Sequence, residues 1–260
     1  MTPIALTIAG SDASGGAGIQ ADLKTFHQLG VYGQAVITLI TVQNSVRFSR
    51  MELLAADLVA EQIAAVLEDY PPAAAKTGAL GSAAIVEALA AIAGSFPFPL
   101  VVDPVMVSKH GHRLLSAGAE DALLNRLLPA AELVTPNLLE AEALTGITVR
   151  TAADMCEAAR RLHLRGARAV LVKGGHLEGD ALDVLYDGAS FREYRAARIE
   201  TRHTHGTGCT YSAAITAGLA RGLALGDAVA RAKEFISEAI RTNPGLGHGA
   251  GPVNHFAEAR

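Results

Sequence analysis

Cysteine is scarce in this chain: Cys156 and Cys209 are the only two among 260 residues. Two thiols make neither a disulfide framework nor a cysteine-rich zinc site, and they suit a reducing cytoplasm. Charge is sparse as well, at 18% of residues, with a net of −4 and no run of Lys or Arg. That argues against a basic surface for nucleic acid. No stretch of about 18 apolar residues occurs, so no membrane span is expected. The start of the chain lacks a basic cluster, and its apolar run at 3–10 is short for a signal segment. Repeats, linkers and low-complexity tracts are missing too. Apolar residues, by contrast, make up half of the chain. That supports a large buried core in one α/β domain, 1–260. The expectation is a soluble cytoplasmic enzyme.

Strand-like and helix-like segments alternate. Strands are predicted at 4–9, 35–42, Ala74–Thr77, Leu100–Val102, 133–135 and 169–172. Helices are predicted at 17–29, 58–67, 117–128, 207–223 and 227–241. Ser82 is placed to cap a helix running to 92, and Thr151 one running to 164. Asp187-Gly188 between two short apolar runs predicts a hairpin. Such alternation implies a mostly parallel sheet covered on both faces. Ligands in these folds bind at the C-terminal strand ends. The notable polar residues fall there: 10–18, Gln43-Asn44, Asp103, Asn137 and Lys173.

Two glycine-rich turns stand out. The first, Gly10-Ser11-Asp12-Ala13-Ser14-Gly15-Gly16-Ala17-Gly18, joins a strand to a helix. Gly16 to Ala21 matches the loose G-x-G-x-x-A fingerprint, but the second strand ends in Gln43-Asn44 with no ribose-binding acid. No Gly-Lys-Ser/Thr follows, so a P-loop is also excluded. What remains is a tight turn whose backbone approaches a small ligand. The second turn, Thr204-His205-Gly206-Thr207-Gly208-Cys209-Thr210, opens a long helix. Backbone N–H groups at a helix N-terminus welcome an anion. A cysteine there is expected to have a lowered pKa.

Other residues carry two readings each. Asp22 on the first helix reads by itself as a solvated, dipole-facing carboxylate. Gln43 can donate and accept in one plane, which suits a nitrogen heteroaromatic ring. Asp103-Pro104 ends a buried strand, where metal-associated carboxylates occur. Asn137 and Glu140 read as a capping box, with a hydrated Mg²⁺ site as the functional alternative. Lys173 ends a buried strand before two glycines and is placed to balance phosphate charge. His176, His203 and His205 lack metal-ligand spacing and read as structural or rim residues.

Together these residues resemble the hydroxymethylpyrimidine/phosphomethylpyrimidine kinases of thiamine biosynthesis, within the ribokinase-like superfamily. The resemblance runs through Ala9-Gly10-Ser11-Asp12, Ser14 to Lys24, Gln43-Asn44, Lys76-Thr77-Gly78 and Val102 to Met106. It continues through Thr135-Pro136-Asn137, Lys173 to His176, Thr204 to Thr210, Gly247-His248-Gly249 and Gly251 to Phe256. It implies a three-layer α/β/α fold, ATP and Mg²⁺ as cofactors, and a homodimer. It implies phosphorylation of 4-amino-5-hydroxymethyl-2-methylpyrimidine and of its monophosphate. Gly10, Asp22, Gln43 and Val105 match pyrimidine-binding positions. Lys173 matches the phosphate-contacting lysine, and Asn137 and Glu140 match the superfamily element that organises Mg²⁺ beside Asp103. Gly206, Thr207 and Gly208 match the anion hole. Cys209 matches the catalytic position that is Asp in sugar kinases. Two stretches depart from the family pattern: 46–48 (Val-Arg-Phe) and 108–113 (Ser-Lys-His-Gly-His-Arg). Both are expected to be flexible loops over the site. The alternatives are a pyridoxal kinase and a non-catalytic pyrimidine-binding regulator.

Overall fold

The structure is a computed structural model and describes residues 2–175 and 179–258. At its centre, strands β2 (Tyr32–Gln43), β1 (Ile4–Asp12), β4 (Ala74–Thr77), β5 (Leu100–Val102), β6 (Leu133–Val134) and β7 (Ala169–Gly174) lie side by side and parallel. β3 (Phe48–Leu53) pairs antiparallel to β2 at one edge. β8 (Ala181–Tyr186) and β9 (Phe191–Ala196) extend the other edge as an antiparallel hairpin, completing a nine-stranded sheet.

Strand residues alternate between two cores, as the period of two requires. Val102, Val134, Val170 and Val172 pack with α2 (Ala56–Asp69), α3 (Ala83–Ala93), α5 (Leu138–Thr145) and α6 (Ala152–Leu164). Their neighbours Val101, Leu133 and Leu171 pack on the opposite face, with α7 (Thr207–Ala220) and α8 (Leu225–Arg241). Phe26 of α1 (Gly18–Gln28) joins that second face beside Ala213 and Ala217. The result is the expected three-layer, mostly parallel arrangement. α7 sits in the middle of its layer and is buried over most of its length. Its small residues let α1 and α8 approach closely.

Local signals explain most element ends. Ser82 accepts from Ile85 N–H at 3.3 Å, and Thr151 forms a capping box with Asp154. Gly222, with φ +82°, stops α7 at Ala220 rather than at 223, and Leu223 N–H closes back on Gly218. The predicted helix at 117–128 is broken. α4 (Ala119–Ala122) leads into a widened π turn, Leu123–Leu127, and then a 3₁₀ turn, Leu128–Ala130. Pro129 withholds an N–H there, and the wider turn keeps Leu123, Leu127 and Leu128 all buried. The loop expected at 46–48 is instead a hairpin tip that leads into β3 at Phe48. β3 is mostly exposed on both faces, so it carries no apolar alternation to announce it.

Candidate active site at the C-terminal strand ends

Parallel strands end on one edge of the sheet, and the loops leaving β1, β2, β4, β5, β6 and β7 all open there. Position along the chain therefore becomes proximity in space. Lys173 at the end of β7 reaches Asp103 just beyond β5, with Nζ 2.8 Å from Oδ1. Thr135 donates to the same oxygen at 3.0 Å, and Ser212 of α7 donates to Oδ2 at 3.2 Å. Burial alone pushes the Asp103 carboxyl up, but the charges of Lys173 and Lys76 outweigh it and hold it below its ordinary value. Burial pulls Lys173 down, and the charges of Asp103 and Glu140 outweigh that too. Asp103 and Lys173 are thus an ion pair.

α7 points its N-terminus at this pair. Gly206 precedes it with φ +76°, and no side chain caps the helix. The N–H groups of Gly208 and Cys209 therefore have no intrahelical acceptor. A Cβ on Gly208 would lie 3.4 Å from Lys173 Nζ and 3.8 Å from Asp103 Oδ2. Open backbone donors and an ammonium thus converge on one spot. That suits an anion, and the glycine keeps the spot free.

A second buried pair lies alongside. Lys76 and Asp22 are fully buried, with Nζ 2.8 Å from Oδ2. Thr7 donates to that same oxygen at 2.6 Å. Asp22 Oδ1 is buried without a hydrogen-bond partner. The solvated reading of Asp22 is thereby corrected: helix α1 turns this residue inward, under the site. Burial pulls the Lys76 ammonium down, but the charge of Asp22, its hydrogen bond and the charge of Asp103 outweigh it and keep it protonated. The expectation for Cys209 is also reversed. Its surface is partly open, yet burial pushes its thiol up to about 12. Lys76 offsets this only in part, and Asp22 and Asp103 add to it. Cys209 is a thiol at neutral pH, because two nearby carboxylates and dehydration outweigh the helix N-terminus.

Asp12 locks the two glycine turns together. Its carboxylate accepts from Ser14 N–H at 2.9 Å, Gly16 N–H at 3.2 Å and Ala17 N–H at 2.8 Å. His205 Nε2 donates to it at 2.8 Å. His205 is thus structural, as expected. His176 lies outside the described residues.

Asn137 and Glu140 do form the capping box of α5, at 3.0 and 2.8 Å. Burial raises the Glu140 carboxyl to about 7; Lys173 opposes this and Asp103 adds to it. Among the described residues, no group of three or more His, Cys, Asp or Glu forms a metal cage. Gln43 and Val105 are half-buried, each at the root of a loop, and Val105 N–H donates to the Asp103 carbonyl at 2.9 Å. Gly10 packs its backbone against Leu39 and Gly18.

Sequence reasoning gave no role to Lys76, Asp12, Thr135 or Ser212. Lys76 carried a signal: a cation within the buried run Ala74-Ala75-Lys76-Thr77 needs a charged partner. Ser212 carried none, because only the fold brings it to Asp103.

The phosphomethylpyrimidine kinase family matches the chain over residues 12–254. The thiamine biosynthesis bifunctional protein ThiED of Geobacter sulfurreducens is 51% identical over 98% of this chain. The match spans about half of that longer relative, 52%. The hydroxymethylpyrimidine/phosphomethylpyrimidine kinase of Streptomyces coelicolor is 47% identical, covering 97% of this chain and 94% of that one. The Bacillus subtilis pyridoxal kinase, solved as an ADP complex, superposes with a TM-score of 0.91 at 40% identity, over 99% of this chain and 98% of its own. An anion-binding helix end over a Lys–Asp pair fits a nucleotide-using enzyme of this kind. The chain belongs to the phosphomethylpyrimidine kinase family and is a phosphotransferase.

Proposed function

We propose that this chain transfers the γ-phosphoryl group of ATP to the hydroxymethyl group of 4-amino-5-hydroxymethyl-2-methylpyrimidine, and then to its monophosphate. The carrying observation is the α7 N-terminus standing over Lys173 and Asp103. Its open amides at Gly208 and Cys209, with Gly206 and Thr207 shaping the turn, would hold the transferring phosphoryl group. Lys173 would neutralise its charge. Gln43, Val105 and the backbone at Gly10 would orient the pyrimidine ring. Asp22 Oδ1, buried without a partner, is an acceptor waiting for a substrate N–H or O–H donor.

Cys209 carries its proton at neutral pH. It would act by hydrogen bonding to the alcohol rather than as a preformed thiolate. A loose phosphoryl transition state needs little prior deprotonation of the nucleophile, so this suffices. Asp103, held by Thr135, and Glu140, held by Asn137 N–H, would offer hard oxygen donors; among the described residues they close no cage. That fits a Mg²⁺ ion that keeps much of its water; when bound, it would neutralise nucleotide phosphate charge.

A product assay with ATP, Mg²⁺ and the pyrimidine alcohol tests the reading, with mono- and diphosphate separated. Sequential appearance of both is expected; ATP left unconsumed overturns it. The fold match to a pyridoxal kinase supports a second reading. A side-by-side kcat/KM for pyridoxal and the pyrimidine alcohol decides between them. We infer also a cytoplasmic homodimer. Ile40 and Val42, exposed on one face of β2, suit such a contact, and sedimentation tests it. No helix of the described residues is long and apolar enough to cross a membrane.

A further inference from the structure

The two stretches that depart from the family pattern, 46–48 and 108–113, meet in space. Each is a hairpin tip closed by its own hydrogen bonds. In the first, Asn44 N–H donates to the Arg47 carbonyl at 2.9 Å, and Asn44 Oδ1 accepts from Val46 and Arg47 N–H. In the second, Ser108 N–H donates to the His112 carbonyl at 2.7 Å, and Gly111 N–H donates to the Ser108 carbonyl at 2.9 Å.

Two histidines join the tips. His110 Nε2 lies 3.1 Å from the Asn44 carbonyl oxygen. A carbonyl only accepts, so Nε2 carries the proton and donates. His112 stacks on Phe48, with ring centroids 4.7 Å apart and planes 22° apart. The first tip is held from its other side, where Ala250 N–H donates to the Ser45 carbonyl at 2.9 Å. That C-terminal strap continues to the glycine turn, where His205 N–H donates to the Gly251 carbonyl at 3.0 Å.

The roots of the tips matter most. Gln43 immediately precedes the first, and Val105 lies just before the second. These are the residues proposed above to orient the acceptor ring. Tips that rise from both sides of the acceptor and touch each other make a roof over it.

We propose that His110 and His112 are positioning residues that clasp this roof and govern acceptor entry and retention. The inference rests on the reading that the acceptor lies between Gln43 and Val105. One hydrogen bond and one ring stack are modest contacts, so the clasp reopens in every turnover.

The test has two arms, both on the full chain. Amide hydrogen exchange without substrate compares wild type with H110A, H112A and the double variant. The double variant is expected to exchange about fivefold faster in both tips, as loss of a contact of this size implies. Steady-state kinetics with ATP and the pyrimidine alcohol, or pyridoxal if that is the acceptor, are expected to show acceptor KM raised about tenfold, with ATP KM unchanged. H110Q keeps a donor and H112F keeps the stack, so both are expected to restore the acceptor KM. Loosening of one tip only, an unchanged acceptor KM, or no rescue overturns the proposal. The exchange arm uses no substrate, so its result stands apart from any failure of the functional reading.

Discussion

Glu140 caps α5 and also borders the Lys173–Asp103 pair, and burial raises its carboxyl from 4.5 to about 7. The folded state therefore holds this proton more tightly than the unfolded chain. Its contribution to stability is full below about pH 4.5 and is lost as pH rises through about 7. Above that, the buried charge costs up to about 3 kcal/mol. Glu140→Gln keeps the oxygen that accepts from Asn137 N–H and removes the charge. Urea unfolding across pH is expected to show the variant gaining on wild type between pH 4.5 and 7, then a constant gap. A gap independent of pH contradicts this. At Cys209, a thiol near 12 predicts no ionisation step in kcat near its ordinary value of 9. Cys209→Ala is expected to lose most turnover while nucleotide affinity survives, measured by kcat beside direct titration. Near-normal turnover removes the thiol from the reaction. The residue types at these positions were legible in the sequence. Their protonation was not, because it depends on dehydration and on carboxylates brought in from other strands.

The glycine turn before α7 is an element whose chemistry follows from its backbone. Gly206 has φ +76°, and a Cβ there would collide with the Gly16 carbonyl. Gly206→Ala is expected to cost at least about 2 kcal/mol of stability, from the left-handed penalty and the collision. It is also expected to lower kcat about a hundredfold as the anion-holding amides shift. Calorimetry and turnover measured on the same preparation check both parts. Turns and caps such as Gly206, Ser82 and Thr151 were readable because their signals are local. β3 and the π turn after α4 were not. β3 exists because β2 offers it an unpaired edge, and the π turn because three leucines share one core.

At the scale of the whole molecule, the parallel sheet does the assembling. Residues from Asp12 to Ser212 meet because consecutive strands end on one edge. A non-hydrolysable ATP analogue at about 100 times its Kd is expected to add about 2.7 kcal/mol and raise Tm by roughly 5–10 °C for a chain of this size. Lys173→Ala is expected to lose much of that shift in a thermal scan; an undiminished shift removes Lys173 from phosphate binding. The alternation of elements, the glycine turns and the family were determined by the sequence itself, since local spacing and short motifs encode them. The tertiary structure alone decided that Lys76 pairs with Asp22, that Cys209 stays a thiol, and that the 46–48 and 108–113 tips touch. Each of these depends on charges, burial or contacts between segments far apart in the chain, and their free energies exist only once the sheet has brought them together.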